Sequence, residues 1–63
     1  MKKEYRFTDW YNELNDRYGT WKECKRRFDA AVKADPQGRF SIYDVTGDND
    51  FGVLWNEQCP DYK

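Results

Sequence analysis

Aromatic rings, not aliphatic side chains, have to build the core of this chain. Its 63 residues include 24 apolar ones, and 12 of those are Phe, Tyr or Trp. Val, Ile and Leu together supply six. Each ring can bury about 150–250 Å², so twelve of them can replace the missing aliphatics. Chains of this length form one domain and bury a small fraction of their surface. Residues 1–63 are therefore read as a single small domain of modest stability.

Periodicity divides the chain in two. Trp10, Leu14 and Tyr18 recur at i, i+4 and i+8, with Phe7 and Tyr11 alongside. Thr8 can cap such a segment, Asp9 suits its first turn, and Gly19 suits its end. This spacing predicts a helix over about 8–18. Thr20-Trp21-Lys22-Glu23 has the form of a capping box, in which hydroxyl and carboxylate satisfy free N–H groups reciprocally. A second helix is expected over 21–34, stopped by Asp35-Pro36-Gln37-Gly38. Its core stripe would be Trp21, Cys24, Phe28, Ala31 and Val32, an arc of about 100°.

The remainder reads as strand. Residues 39–45 and 51–56 are rich in β-branched and aromatic side chains, and 46–50 have turn chemistry. The pair predicts a β-hairpin. Phe40 and Ile42 on the first strand, and Phe51, Val53 and Trp55 on the second, would pack on the helices. Tyr43, Val45 and Leu54 would point away. Residues 57–63 read as an irregular tail. The expected fold class is α+β, two N-terminal helices on a C-terminal antiparallel hairpin (ααββ) around an aromatic core.

Charge is also divided. The total is −1, but residues 1–34 carry net +3 and residues 35–63 net −4. Such asymmetry bears on partners and not on fold. The two halves can also neutralise each other once folded.

Several functions are excluded or disfavoured. No apolar run exceeds three residues (30–32 and 53–55), so no membrane span is expected. No apolar stretch follows Lys2 and Lys3, as a secretory leader would need. The expected location is therefore cytoplasmic, with Cys24 and Cys59 as free thiols, although a bridge between them would be feasible. Histidine is absent, which removes the commonest base and metal ligand. Asp44, Thr46, Asp48 and Asp50 alternate as in a calcium loop, but the sixth position is Asn49 and the twelfth Trp55, so no metal site is expected. No phosphate loop is present. Neither an enzyme nor a cofactor is predicted.

Two readings remain. The favoured one is a protein-binding module, an inhibitor or regulator, acting as a monomer or small homo-oligomer. Its aromatic content exceeds what so small a core can hide, and exposed Tyr and Trp are typical interface anchors. Tyr11 is a further ring beyond the core's needs. The predicted acidic and aromatic surface comprises Tyr43, Asp44, Asp48, Asp50, Trp55, Asp61 and Tyr62. It would dock on a basic groove of a larger protein, such as one that handles nucleic acid, steered by complementary charge. Small stand-alone chains of this size are often phage or mobile-element accessory proteins.

The alternative is DNA binding. Helix, short turn, helix and hairpin form the element order of a reduced winged helix, similar to small excisionase-type DNA-binding proteins. That likeness is one of element order. It implies that the second helix reads DNA, with Lys22, Arg26 and Lys33 facing the duplex. Asp44, Asp48 and Asp50 on the wing, and a pI of about 5.3, oppose it.

Overall fold

Residues 5–9 alternate rings with polar side chains, Tyr5 and Phe7 on one side and Arg6 and Thr8 on the other. That is the period of a strand with one buried face. A computed structural model describes residues 3–47 and 50–59, and it has this strand, β1 (Tyr5–Asp9), at the centre of a sheet. A single-turn 3-10 helix follows at Glu13–Asn15. Then come β2 (Arg17–Gly19), α1 (Trp21–Ala34), β3 (Phe40–Asp44) and β4 (Phe51–Trp55). The sheet order is β2-β1-β3-β4, and every neighbouring pair is antiparallel. Since β2 and β3 flank β1, they run in the same direction. Helix α1 carries the chain from one to the other past β1, a split β-α-β connection.

This corrects the expected ααββ order. Among the described residues there is one α-helix, in the middle of the chain, and there are four strands. The predicted helix over 8–18 is absent. Its cap, Thr8, lies inside β1 opposite Ser41, and its stop, Gly19, ends β2 opposite Tyr5.

The physical reason is competition from short polar side chains. Asp9 Oδ1 accepts from the Tyr11 and Asn12 N–H groups at 3.0 and 3.3 Å, and Asp9 Oδ2 accepts from Asn15 Nδ2. Asp16 Oδ1 accepts from the Asp9 N–H at 3.0 Å, and Asn12 Oδ1 from the Leu14 N–H. Asp and Asn offer the backbone these turns in place of a helical ladder. The supposed core stripe is therefore on the outside, with Leu14 81% exposed.

The second helix is found where its capping box places it. Thr20 Oγ1 accepts from the Glu23 N–H, and the Glu23 carboxylate accepts from the Thr20 N–H at 3.1 Å. Cys24 and Phe28 are buried, and Ala31 and Val32 pack beside them. Trp21 is partly exposed and meets Tyr5 edge to face, with ring centroids 5.4 Å apart.

The core lies between α1 and one face of the sheet. Phe7, Cys24, Phe28, Phe40 and Ile42 form it, with Phe7 and Phe40 stacked at 6.1 Å. Both hairpin strands are present, but the facing of β4 needs correction. Ile42 pairs with Leu54 and Tyr43 with Gly52, so Val53 is an extra residue and the strand bulges there. A bulge changes the phase of alternation. Leu54 thus packs on the core, whereas Phe51, Val53 and Trp55 are exposed.

Asn56 closes the far end of the hairpin. Its Oδ1 accepts from the Phe40 N–H at 3.1 Å, and its Nδ2 donates to the Gly38 carbonyl at 2.7 Å. Among the described residues no helix is long and apolar enough to cross a membrane.

Candidate functional site

Helix α1 covers one side of the sheet; among the described residues no helix covers the other, and rings occupy it. The register across the sheet fixes which residues share that face. Tyr18 on β2 lies opposite Arg6 on β1, and Arg6 lies opposite Tyr43 on β3. Thr8 lies opposite Ser41, and Ser41 opposite Trp55 on β4. Trp10, just past β1, donates from Nε1 to Ser41 Oγ at 2.8 Å and so folds over the same face. Ser41 is completely buried, a polar residue covered by rings and satisfied by one of them. Trp10, Tyr18 and Trp55 remain 42%, 63% and 37% exposed.

The charged groups on this face are arranged around Tyr43. The Arg6 guanidinium stacks over the Tyr43 ring at 4.9 Å. Arg6 also reaches Asp50, Nη1 to Oδ2, at 3.6 Å. Burial pushes the Tyr43 phenol above its ordinary pKa; the Ser41 hydroxyl and the Arg6 charge pull the other way. Tyr43 is thus neutral at physiological pH.

Beside it a shallow cleft of about 280 Å³ is lined by Trp10, Tyr43, Arg6 and three carboxylates, Asp9, Glu13 and Asp16. Two of these acids are partly spent on the turn described above; Glu13 is exposed. Aromatic faces with carboxylates beside them suit a cationic side chain, which gains from ring and charge together.

The predicted surface is only partly assembled. Tyr43 and Trp55 share the face away from α1, with Asp50 at its border. Asp44 does not join them, because it pairs with Tyr5 on the helix side. Its carboxylate is occupied: Thr46 donates to it, Lys3 Nζ lies 3.6 Å away, and these hold it below its ordinary pKa. Asp48, Asp61 and Tyr62 lie outside the described residues. Tyr11 is exposed in the β1–β2 connection, its ring 5.9 Å from the Arg39 guanidinium.

Sequence reasoning missed Trp10, Tyr18, Arg6 and Glu13, having assigned most of that stretch to a helix. The alternation over residues 5–8, followed by four Asp and Asn residues between 9 and 16, is the signal that points to them.

Lys22, Arg26 and Lys33 are all exposed on the outer side of α1. Asp29 beside them is held by Lys25 at 2.7 Å. The first helix of a winged helix is missing, so the element order that likened the chain to excisionase-type proteins does not exist. Cys24 and Cys59 are buried and not bridged to each other. Burial raises the Cys24 thiol above its ordinary pKa, which keeps it protonated and unreactive. Among the described residues no group of acids and cysteines is placed to hold a metal. Comparison of the chain with protein-family models, with curated proteins and with solved structures yields no match.

Proposed function

We propose that this chain is a non-enzymatic protein-binding module, an inhibitor or regulator. It docks the helix-free face of its sheet on a basic groove of a larger protein, of the kind that handles nucleic acid. One observation carries the reading: Trp10, Tyr43 and three carboxylates line one cleft, with Tyr18 and Trp55 on the same face. Partly exposed rings such as Trp10, Tyr18 and Trp55 are the usual anchors of an interface, and the acids beside them select a cationic partner. The cleft beside Tyr43, about 280 Å³, lies below the usual range of substrate pockets. Two unbridged thiols fit a reducing, cytoplasmic setting. Duplex DNA is disfavoured as the partner, because the lysine and arginine residues on α1 share a molecule with excess acid.

The test captures the partner with the wild-type protein, purifies it and titrates it against variants. Glu13→Lys combined with Tyr18→Ala changes only exposed side chains and is expected to weaken binding at least tenfold. Lys22→Glu combined with Arg26→Glu is expected to leave it unchanged. Anisotropy with mixed-sequence duplex DNA at low and physiological salt supplies the opposite arm. Salt-steep DNA binding that disappears in the α1 double variant would overturn the reading.

A further inference from the structure

The sheet has two edges, and they are not equally protected. Strand β2 is three residues long and includes Arg17 and Gly19. Short, charged edges resist pairing. Strand β4 runs Phe-Gly-Val-Leu-Trp, five residues with neither charge nor proline. It stands last in the sheet order, and among the described residues no strand pairs with its outer edge. Phe51 and Val53 on it are 64% and 44% exposed. From these observations we infer that β4 pairs with β4 of a second copy, giving a two-fold dimer with a continuous eight-stranded antiparallel sheet.

Three features select a second copy as the occupant. The first is fit. A cleft of about 380 Å³ lies on the helix side between the ends of α1 and β4, lined by Phe28, Val32, Pro36 and Asn56 among others. Phe51 is opposite Asp44, and Asp44 opposite Tyr5, so Phe51 points to the helix side. In an antiparallel two-fold pairing, the start of one β4 lies against the end of the other. The Phe51 ring of each copy therefore meets the cleft of the other.

The bulge at Val53 supports this register. Phe51 and Asn56 lie on the helix side, and Gly52 and Trp55 on the opposite side. Pairing Phe51 with Asn56 of the second copy, and Gly52 with its Trp55, keeps each residue on its own face. Glycine opposite the indole leaves room for it.

The second feature is charge. A net charge of −1 sets up little repulsion between copies. In this register Asp50 of each copy lies opposite Glu57 of the other, and Arg6, 3.6 Å from Asp50, offsets part of that like-charge contact.

The third is need. Small domains add disulfides, metals or oligomerisation to a thin core. The two cysteines here are unbridged, and among the described residues more large apolar side chains are exposed than buried. A standard interface of about 800 Å² per partner would cover roughly a sixth of the 4775 Å² surface.

This pairing uses the outer edge and the helix side of β4, so it stands or falls apart from the docking function proposed above. Sedimentation equilibrium from about 10 µM to 1 mM is expected to show twice the 7.7 kDa chain mass at the upper end. Phe51→Lys and Val53→Lys should each weaken the dimer at least tenfold while leaving the helical circular dichroism unchanged. Tyr18→Lys, on the other edge, should leave the dimer intact. In the wild type, amide exchange within residues 51–55 should slow as concentration rises. A monomer at every concentration, exchange at 51–55 that ignores concentration, or a dimer broken by Tyr18→Lys and not by the β4 variants would overturn the proposal.

Discussion

Gly38 shows how tightly a single position is held here. A Cβ built on it would lie 2.6 and 2.7 Å from Phe40 ring atoms and 3.1 Å from an Asp35 carboxylate oxygen. Phe40 is buried and stacked on Phe7, so the ring has little room to retreat. Asn56 adds to the constraint by holding the Gly38 carbonyl and the Phe40 N–H together. Gly38→Ala is expected to cost about 1–3 kcal/mol, the usual penalty for overpacking a close contact. Gly47→Ala, where nothing lies within 4 Å of the added carbon, should change stability by less than about 0.5 kcal/mol. Urea denaturation of both variants beside the wild type measures the contrast. Equal midpoints for the two would mean that the chain at Gly38 moves aside at no cost.

Helix α1 depends on a local device that titrates. The Thr20 N–H and hydroxyl both donate to the Glu23 carboxylate and hold its pKa below the ordinary glutamate value. A depressed folded-state pKa contributes stability above the unfolded value, which is lost as pH falls through the folded one. Stability should therefore decline below about pH 4.3, the ordinary glutamate value, with Asp44 adding to the decline in the same direction. Glu23→Gln keeps an acceptor for Thr20 but does not titrate. Its thermal midpoint should fall less than the wild type's between pH 7 and pH 3, and parallel curves would remove Glu23 from the account.

The same locality explains why α1 was legible in the sequence. A hydroxyl, a carboxylate three residues later and an apolar stripe suffice to mark it, and the β3–β4 hairpin is marked in the same way by its turn. Strand β1 had no such marker. It is held by β3, with Thr8 opposite Ser41, across more than thirty residues of chain. Meanwhile Trp10, Leu14 and Tyr18 happen to fall at helical spacing although they lie in a strand end, a turn and an edge strand. The site divided along the same line. Tyr43 and Trp55 were visible because they belong to the local hairpin, whereas Trp10, Tyr18 and Glu13 depended on the pairing of β1.

At the scale of the whole molecule, this pairing joins two halves of opposite charge. Placing β1 beside β3 brings Lys3 to 3.6 Å from Asp44 and Arg6 to 3.6 Å from Asp50, a cation of the basic half meeting an acid of the acidic half each time. Part of the opposite charge that cancels in the count is thus also paired in space across the sheet. These contacts are partly exposed, and such pairs contribute about 0–1 kcal/mol each. The sheet and its aromatic core hold the halves together, and charge selects among partners. Raising salt from about 0.05 to 0.5 M should then cost less than about 1 kcal/mol, a fall in the thermal midpoint of under about 8 °C. Differential scanning calorimetry at pH 7 measures it. A larger fall would mean that the charge asymmetry is a folding device, and that the acids around Tyr43 are engaged within the chain instead of being available to a partner.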